Sequence, residues 1–456
     1  MKKIDKFGID DTIVGVATPA GGSISIIRIS GDNAVDILRS IFQAKVQSFE
    51  SHRVYYGWVV DGDGALVDEV LATVMLAPRT FTRQDVVEIN CHGSQVVIQK
   101  IVMLILEQGA RLAQAGEFTK RAFLSGRIDL SKAEAVMDIV NATTDLSHKV
   151  AINHLRGRLS NLLGSCCNNL LNLLARIEMS LDYPEHEEAD IIAGDIKVAL
   201  LGISLEIDKL ISTAGQGRLI KEGVSTAILG RPNAGKSSLL NALLGEERAI
   251  VTHIAGTTRD TLKEHIKIGN IFLNISDTAG IREDADEVEK LGVARSIKEG
   301  QGAELLLLVF DGSKPFMEGA FDMEGFGGQK IVVINKTDLP RKLELAGTPL
   351  EDLPVVEISA KNHQGIEELK TKIQEIFAIN DIEVGQDVVT SARHISLLQD
   401  ASIALGAAVN AIDGGVFIDL VAIDIMEAYA NLGEITGATI DEDLIERIFA
   451  EFCLGK

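Results

Sequence analysis

The sequence predicts a multidomain chain of mixed α/β and α+β class: an N-terminal α+β module, then a helical domain, with an α/β domain inserted into the helical one. Three observations carry that prediction. A strand-like run, Ser225 to Leu229, enters the glycine-rich loop Gly230 to Ser237, which opens the helix-like run Ser238 to Leu244. Apolar residues three and four apart recur from about Ser131 to Thr213 and again from about Ser391 to Phe452, on either side of that segment. Short strand-like runs separated by turns fill the chain up to about residue 120.

Taken in order, Thr12 to Ala17 and Ile24 to Ile29 read as strands parted by Pro19-Ala20-Gly21-Gly22. Val54 to Val60 and Leu66 to Met75 flank Asp61-Gly62-Asp63-Gly64, a hairpin signal, and Val86 to Asn90 is a further strand. Gln95 to Gln108 reads as a helix. The long helical stretch that follows is interrupted chiefly near Pro184, and Leu162, Leu163, Leu170, Leu171, Leu173 and Leu174 read as its core stripe. The run Asp182 to Asp190 reads as a solvated acidic loop and not a metal site, and Gly319 to Gly328 lengthens a surface loop. The expected domains are therefore 1–120, 121–216, 217–378 and 379–456, the second and fourth being two parts of one helical domain. Such an insertion is tolerated where the termini of the inserted domain lie close together.

Composition bounds the function. A chain of 456 residues holds about three domains, and its 46% hydrophobic content is ample for packed cores. The net charge of −22 argues against broad, non-specific nucleic-acid binding, which needs a basic face. Cys91, Cys166, Cys167 and Cys453 lack paired metal-ligand spacing and suit a reducing cytoplasm. Lys2, Lys3 and Lys6 are not followed by a signal-peptide core, and no run reads as a bilayer span. A cytoplasmic protein without a membrane partner is expected.

The loop Gly230-Arg231-Pro232-Asn233-Ala234-Gly235-Lys236-Ser237 is a complete phosphate-binding loop, Gly-x-x-x-x-Gly-Lys-Ser. In a strand–loop–helix setting its backbone N–H groups curl around phosphates and the helix N-terminus adds its dipole. Lys236 then bridges the β- and γ-phosphates and the Ser237 hydroxyl ligates Mg²⁺, with Ser238 following on the helix. Asp277-Thr278-Ala279-Gly280 follows the strand Ile271 to Ile275, where a carboxylate reaches Mg²⁺ through water and Gly280 can turn its N–H toward the γ-phosphate. Asn335-Lys336-Thr337-Asp338 follows the strand Ile331 to Ile334, and Asp338 can accept from the guanine N1–H and exocyclic amine. A site built on such bonds rejects the wrong base by roughly 10⁴-fold or more. Ser359-Ala360-Lys361, after Val355 to Ile358, completes the base contact. In this order, each at a strand end, the motifs predict a Ras-like P-loop G domain that hydrolyses GTP.

The group that activates water is less plain. Ile281 stands where Ras-type proteins carry the water-orienting glutamine, and an isoleucine cannot do that work. The acidic stretch Glu283 to Glu289 lies just downstream, and Arg259 and Arg282 are candidate arginine fingers. A monovalent cation is the other option. Asn233 offers a side-chain carbonyl toward the phosphates, and Thr252-His253-Ile254-Ala255-Gly256-Thr257-Thr258 can wrap carbonyls over the ion, with Thr258 on Mg²⁺. A positive charge there does an arginine finger's electrostatic work, worth about 10³–10⁵ in rate.

With these residues in view, the chain resembles the MnmE (TrmE) family of tRNA-modification GTPases, within the TrmE–Era–EngA-like K⁺-dependent GTPases. The resemblance spans essentially the whole chain. It rests on Gly230 to Ser238, Ile254 to Asp260 and Asp277 to Glu289, and beyond the G domain on Asp11 to Val14, Arg28-Ile29-Ser30-Gly31, Gly116-Glu117-Phe118, Arg121 to Leu124 and the ending Phe452 to Lys456. It implies an N-terminal tetrahydrofolate-binding domain that also dimerises, so a homodimer, and G-domain pairing across the nucleotides. It implies a K⁺ site of Asn233 with the carbonyls of Thr252, Ile254 and Thr257, and gives Glu289 the catalytic glutamate's place. A one-carbon tetrahydrofolate, 5-formyl-tetrahydrofolate or a relative, is expected at Arg28, Glu88, Arg127 and Lys456, with Arg127 replacing a lysine seen in some relatives. Cys453 takes the place of the family's functional cysteine, with Leu454 for the usual isoleucine; nucleophile, hydrogen-bond donor and conformational reporter all stay open for it. The implied partners are tRNA and an MnmG-type FAD flavoprotein in a heterotetramer or larger complex, which together modify carbon 5 of the wobble uridine. A K⁺-dependent switch in ribosome assembly is the competing expectation, although the basic RNA-binding domain it calls for is not found in the sequence.

Overall fold

In the computed structural model the protein is described for residues 10–19, 21–182, 189–246, 264–275, 302–317, 327–377, 387–440, 442–450, 452 and 455. The chain divides into two compact units, Met1–Met137 with His154–Leu201 and Ile403–Lys456, and Asp138–Asn153 with Gly202–Ser402.

The first unit holds a seven-stranded sheet of order β3-β4-β5-β6-β2-β1-β7. Its strands are β1 (Ile13–Val16), β2 (Ile24–Ser30), β3 (Phe42–Gln43), β4 (Arg53–Val60), β5 (Leu66–Met75), β6 (Val86–His92) and β7 (Arg111–Leu112). The expected hairpin is present: β4 and β5 pair antiparallel, and Gly64 in their turn has φ +79°, a left-handed value that glycine takes without strain. Period-two alternation fixes the faces. Ile27, Ile29, Val87 and Ile89 point into the core with Val70, Ala72 and Val74, against Leu38 and Ile41 of α1 (Ala34–Ile41) and Ile101 and Ile105 of α2 (Gln95–Glu107). Arg28 and Glu88 therefore share the opposite face, and the β2–β6 register sets them directly across from each other.

Helices α3 (Glu117–Leu124), α4 (Leu130–Asn141), α5 (Asp145–Leu155), α6 (Arg158–Asp182) and α7 (Ala189–Ser212) follow. The periodic stretch is thus broken earlier than expected, at two identifiable places. Thr144 accepts from the backbone N–H of Ser147 through its hydroxyl, an N-terminal cap for α5. Gly157, at φ +86°, supplies the left-handed residue that ends α5. The leucine stripe is narrower than expected: Leu163, Leu170 and Leu173 are buried, whereas Leu171 is exposed, because a 3.6-residue period cannot bring adjacent residues to one seam. Most of Asp182 to Asp190 and of Gly319 to Gly328 lies outside the described residues.

The second unit is built on a six-stranded sheet of order β13-β12-β11-β8-β10-β9. Its strands are β8 (Val224–Gly230), β9 (Glu264–Ile268), β10 (Ile271–Ile275), β11 (Leu305–Asp311), β12 (Gln329–Asn335) and β13 (Val355–Glu357). All neighbours run parallel except β9 and β10. Leu305 to Phe310 are buried without interruption, as a strand covered on both faces requires. Apolar clusters fill the two sides, one of them with Leu239 and Leu243 of α9 (Lys236–Glu246) and Leu369 and Ile373 of α10 (Ile366–Ile376). Helix α8 (Ala214–Glu222) leads into β8.

Helices α11 (Ala392–Asp413), α12 (Ile418–Thr436) and α13 (Glu442–Ala450) close the chain. By length and composition α11 is apolar enough to cross a membrane, which amends the reading that no run qualifies; its Leu398, Ala401 and Leu405 are buried within the protein. In the first unit α12 runs beside α6, and Phe449 and Phe452 pack with Leu130 and Ala133.

Candidate nucleotide-binding site

Parallel topology gathers the carboxyl ends of β8, β11 and β12 at one edge of the sheet, the place where open α/β sheets bind ligands. The phosphate loop leaves β8 there. Gly235 has φ +98°, and a Cβ on it would stand 2.1 Å from Asn335 Nδ2, so only glycine fits. The Lys236 ammonium is held by the carbonyls of Gly230 at 2.8 Å and Arg231 at 3.2 Å, at the mouth of the loop. Ser237 is half-buried in the first turn of α9, and Ser238 is exposed beside it.

Asn335 organises the crevice. It is 2% exposed, and its Nδ2 donates to the Ala234 carbonyl at 3.0 Å. Its Oδ1 accepts from the backbone N–H groups of Lys336 at 2.8 Å and Ala360 at 3.1 Å. One side chain thus ties the phosphate loop to both base-reading loops. Ser359, fully buried, donates from Oγ to Asp338 Oδ1 at 2.8 Å and orients that exposed carboxylate. Thr337 is anchored through its backbone N–H to the Ile358 carbonyl at 3.2 Å, and Lys361 is exposed at the rim. Lys336 Nζ reaches the Asn233 carbonyl at 2.7 Å and Asp311 Oδ2 at 2.7 Å. Burial pushes the Asp311 carboxyl up, but the bonds from Lys336 and Ser313 outweigh it and hold the group below the ordinary carboxylate range.

The sequence motifs single out Asn233, Ala234, Gly235, Lys236, Ser237, Asn335 to Asp338 and Ser359 to Lys361, and the fold brings these together. Thr252 to Thr258, Asp277 to Gly280, Glu289, Cys453 and Lys456 lie outside the described residues. Asp311 and Ser313 escape a motif search; the available signal is an acidic residue closing an apolar strand that neighbours the phosphate-loop strand.

In the first unit Arg28 Nε pairs with Glu88 Oε1 at 2.8 Å, and Arg28 Nη1 donates to the Gly455 carbonyl at 3.3 Å. The Arg28 guanidinium also lies 5.5 Å above the Phe118 ring. The Arg127 guanidinium lies over Phe81 at 4.8 Å. Gly455, at φ +86°, is buried with its Cα so close to Val16 that an added Cβ would stand 2.2 Å from the Val16 carbonyl oxygen. Gly455 is thereby laid against β1, beside Arg28.

Two family models cover these parts: the GTP-binding protein TrmE N-terminus over residues 12–127, and the MnmE helical domain over residues 130–453. The tRNA modification GTPase MnmE of Bacillus cytotoxicus is 45% identical over 98% of this chain and 99% of its own length. That of Lactiplantibacillus plantarum is 46% identical over 98% of each. The chain belongs to the MnmE family. Among solved structures, Aquifex aeolicus Era bound to GDP·AlF4⁻ covers 40% of this MnmE-family chain and 66% of its own, at 23% identity and a TM-score of 0.23. The FeoB G-domain from Methanococcus jannaschii covers 34% of this chain and 98% of its own, at 24% identity and a TM-score of 0.24. Both likenesses are too slight to carry argument.

Proposed function

We propose that the crevice between β8, β11 and β12 binds and hydrolyses GTP to drive a conformational cycle. The cycle serves installation of an aminomethyl or carboxymethylaminomethyl group at carbon 5 of the tRNA wobble uridine. As an MnmE-family member the chain is a tRNA modification GTPase. The observation that carries the reading is Asn335, whose amide fixes the loop that would cradle phosphates against the loops that would read guanine.

The residues divide the work as follows. Backbone N–H groups of Asn233 to Ser238 at the start of α9 take the phosphates, which displace the carbonyls now holding Lys236. Asp338, oriented by Ser359, accepts from guanine, with Ala360 and Lys361 beside the base. Ser237 and Thr258 would hold Mg²⁺, and Asn233 with the carbonyls of Thr252, Ile254 and Thr257 would hold K⁺; Ser237 at the helix start and the exposed Asn233 at the loop tip suit those roles. When bound, the two cations neutralise charge that develops on the transferring phosphoryl group. Asp277 to Gly280 respond to the γ-phosphate, and Glu289 positions water indirectly.

Arg28, Glu88, Arg127 and Lys456 hold the one-carbon tetrahydrofolate, the cations suiting its glutamate tail and Glu88 a pterin N–H pair. The Arg28–Glu88 ion pair sets a guanidinium and a carboxyl group side by side on one sheet face, where such a ligand could share them. Cys453 takes the place of the family's functional cysteine, as nucleophile, hydrogen-bond donor or conformational reporter. The division 1–120, 121–216, 217–378 and 379–456, a homodimer, an MnmG-type FAD flavoprotein partner and a cytoplasmic location complete the reading.

The test is mass spectrometry of wobble uridines after incubating unmodified tRNA with this chain, the flavoprotein, GTP, K⁺, a folate one-carbon donor, NADH and ammonium or glycine. A modified uridine that vanishes when the chain is omitted is expected. Unmodified tRNA despite an active partner and intact K⁺-stimulated hydrolysis would overturn the modification reading and leave a GTPase switch.

A further inference from the structure

We propose that Asp311 is a positioning residue that couples guanine recognition to the cation end of the phosphate loop. Strand β11 lies between the phosphate-loop strand β8 and the base-reading strand β12, with Asp311 at its carboxyl end opposite Asn335. The Asp311 side chain is 8% exposed. Both of its oxygens are engaged. Oδ1 accepts from Ser313 N at 3.0 Å and Ser313 Oγ at 2.6 Å, and Oδ2 takes the Lys336 ammonium at 2.7 Å. The same ammonium donates to the Asn233 carbonyl at 2.7 Å.

The bridge Asp311–Lys336–Asn233 therefore joins a residue of the base-reading loop to the backbone of the residue read above as the K⁺ ligand. Two of its three residues are bent: Lys336 has φ +67° and Asn233 φ +60°, left-handed values that a lysine adopts only at a cost. Surrounding contacts must hold such residues in place. At Lys336 those contacts include the charge-assisted bond to Asp311 and the bond from its own N–H to Asn335 Oδ1. Without the carboxylate the ammonium loses its fixed anchor, Lys336 can relax, and Asn233 loses the donor that sets the tilt of its peptide. Base affinity and cation affinity then fall together. The coupling to K⁺ rests on the cation reading above; the role toward guanine does not.

Asp311→Asn keeps the shape and removes the charge. The expected result is a fluorescent-GDP dissociation constant raised about tenfold, with the K⁺ concentration for half-maximal hydrolysis raised severalfold and the rate at saturating GTP and K⁺ near wild type. A side chain that served only stability would lower the melting temperature and leave the K⁺ midpoint unmoved. Ser313→Ala, which keeps the carboxylate and removes one grip on it, should shift both quantities in the same direction by less, and it decides the matter if Asp311→Asn does not fold. Wild-type GDP affinity, or a wild-type K⁺ midpoint beside weakened GDP binding, overturns the coupling. If the wild-type enzyme hydrolyses GTP equally well in Na⁺, the cation reading alone fails, and GDP affinity then decides the role of Asp311.

Discussion

The nucleotide crevice and the Arg28–Glu88 sheet face hold polar groups ready for charged ligands by different means. In the crevice a neutral amide does the holding: Asn335 satisfies backbone groups of three segments, and its bond to Ala234 spans 101 residues. On the sheet face opposite charges hold each other, and Arg28 also donates to the Gly455 carbonyl across 427 residues of sequence. The first arrangement need not give up its bonds when ligand binds, because the amide's partners are all backbone groups of the protein. The second must share its ion pair with whatever binds. Breaking the amide should therefore cost more than disturbing the tail, and disturbing the tail more than titrating the charges around it.

Asn335→Ala should have the largest effect. It removes every bond the buried side chain makes, leaving the Ala234 carbonyl and the Lys336 and Ala360 N–H groups without it; each such loss costs about 1–3 kcal/mol. The affinity for fluorescent GDP should fall about a hundredfold or more, since loop order must then come from binding energy. Near-wild-type affinity would mean that Asn335 does not hold the loops together.

The same contrast explains what was legible in the sequence. Asn335 to Asp338 form one contiguous motif at the end of an apolar strand, so their chemistry can be read without knowing the fold. Asp311 cannot: it is a single residue whose partner Lys336 is 25 positions away, and only the strand order brings them together. Strand positions in the first module follow from alternation and turn residues, yet α1 is only eight residues long, and Asn33, of a type favoured at helix starts, makes no side-chain cap bond there. Leu171 reads as part of a stripe because leucines cluster around it, although adjacent helical residues diverge by about 100°. The pairing of Arg28 with Glu88 needs the β2–β6 register, and the docking of Gly455 needs a contact between the two ends of the chain.

Gly455→Ala tests that docking, with an intermediate effect. The new Cβ would stand 2.2 Å from the Val16 carbonyl oxygen, and the left-handed backbone at φ +86° adds roughly 1–2 kcal/mol of strain. Residue 455 should leave β1, removing its carbonyl from Arg28. Calorimetric titration with 5-formyl-tetrahydrofolate should show binding weakened about tenfold, the tenfold step being about 1.4 kcal/mol. An unchanged titration would detach the tail from the proposed folate site.

The smallest effect concerns the charge cluster around Glu117 in the same unit. Glu117 accepts from Arg111 Nη1 at 2.8 Å, from Arg111 Nη2 at 2.6 Å and from the buried Arg121 at 3.1 Å. Burial pushes its carboxyl up, but the Arg111 bonds, the Gln114 N–H and the charge of Arg121 outweigh burial and hold it below the ordinary carboxylate range. A carboxylate whose folded value is depressed stabilises the fold fully above its unfolded value, and that stability is lost as pH falls through the folded one. The first unit should therefore lose melting temperature as pH drops below the ordinary carboxylate range, and Glu117→Gln should flatten that acid-side fall while lowering stability near neutrality by a few degrees. The chain has one tryptophan, Trp58 on β4, so intrinsic tryptophan fluorescence follows this unit alone. Parallel melting curves for wild type and Glu117→Gln across the acid range would move the pH sensitivity to another group, with Asp11, which the same two arginines also hold below its ordinary value against burial, the next to replace.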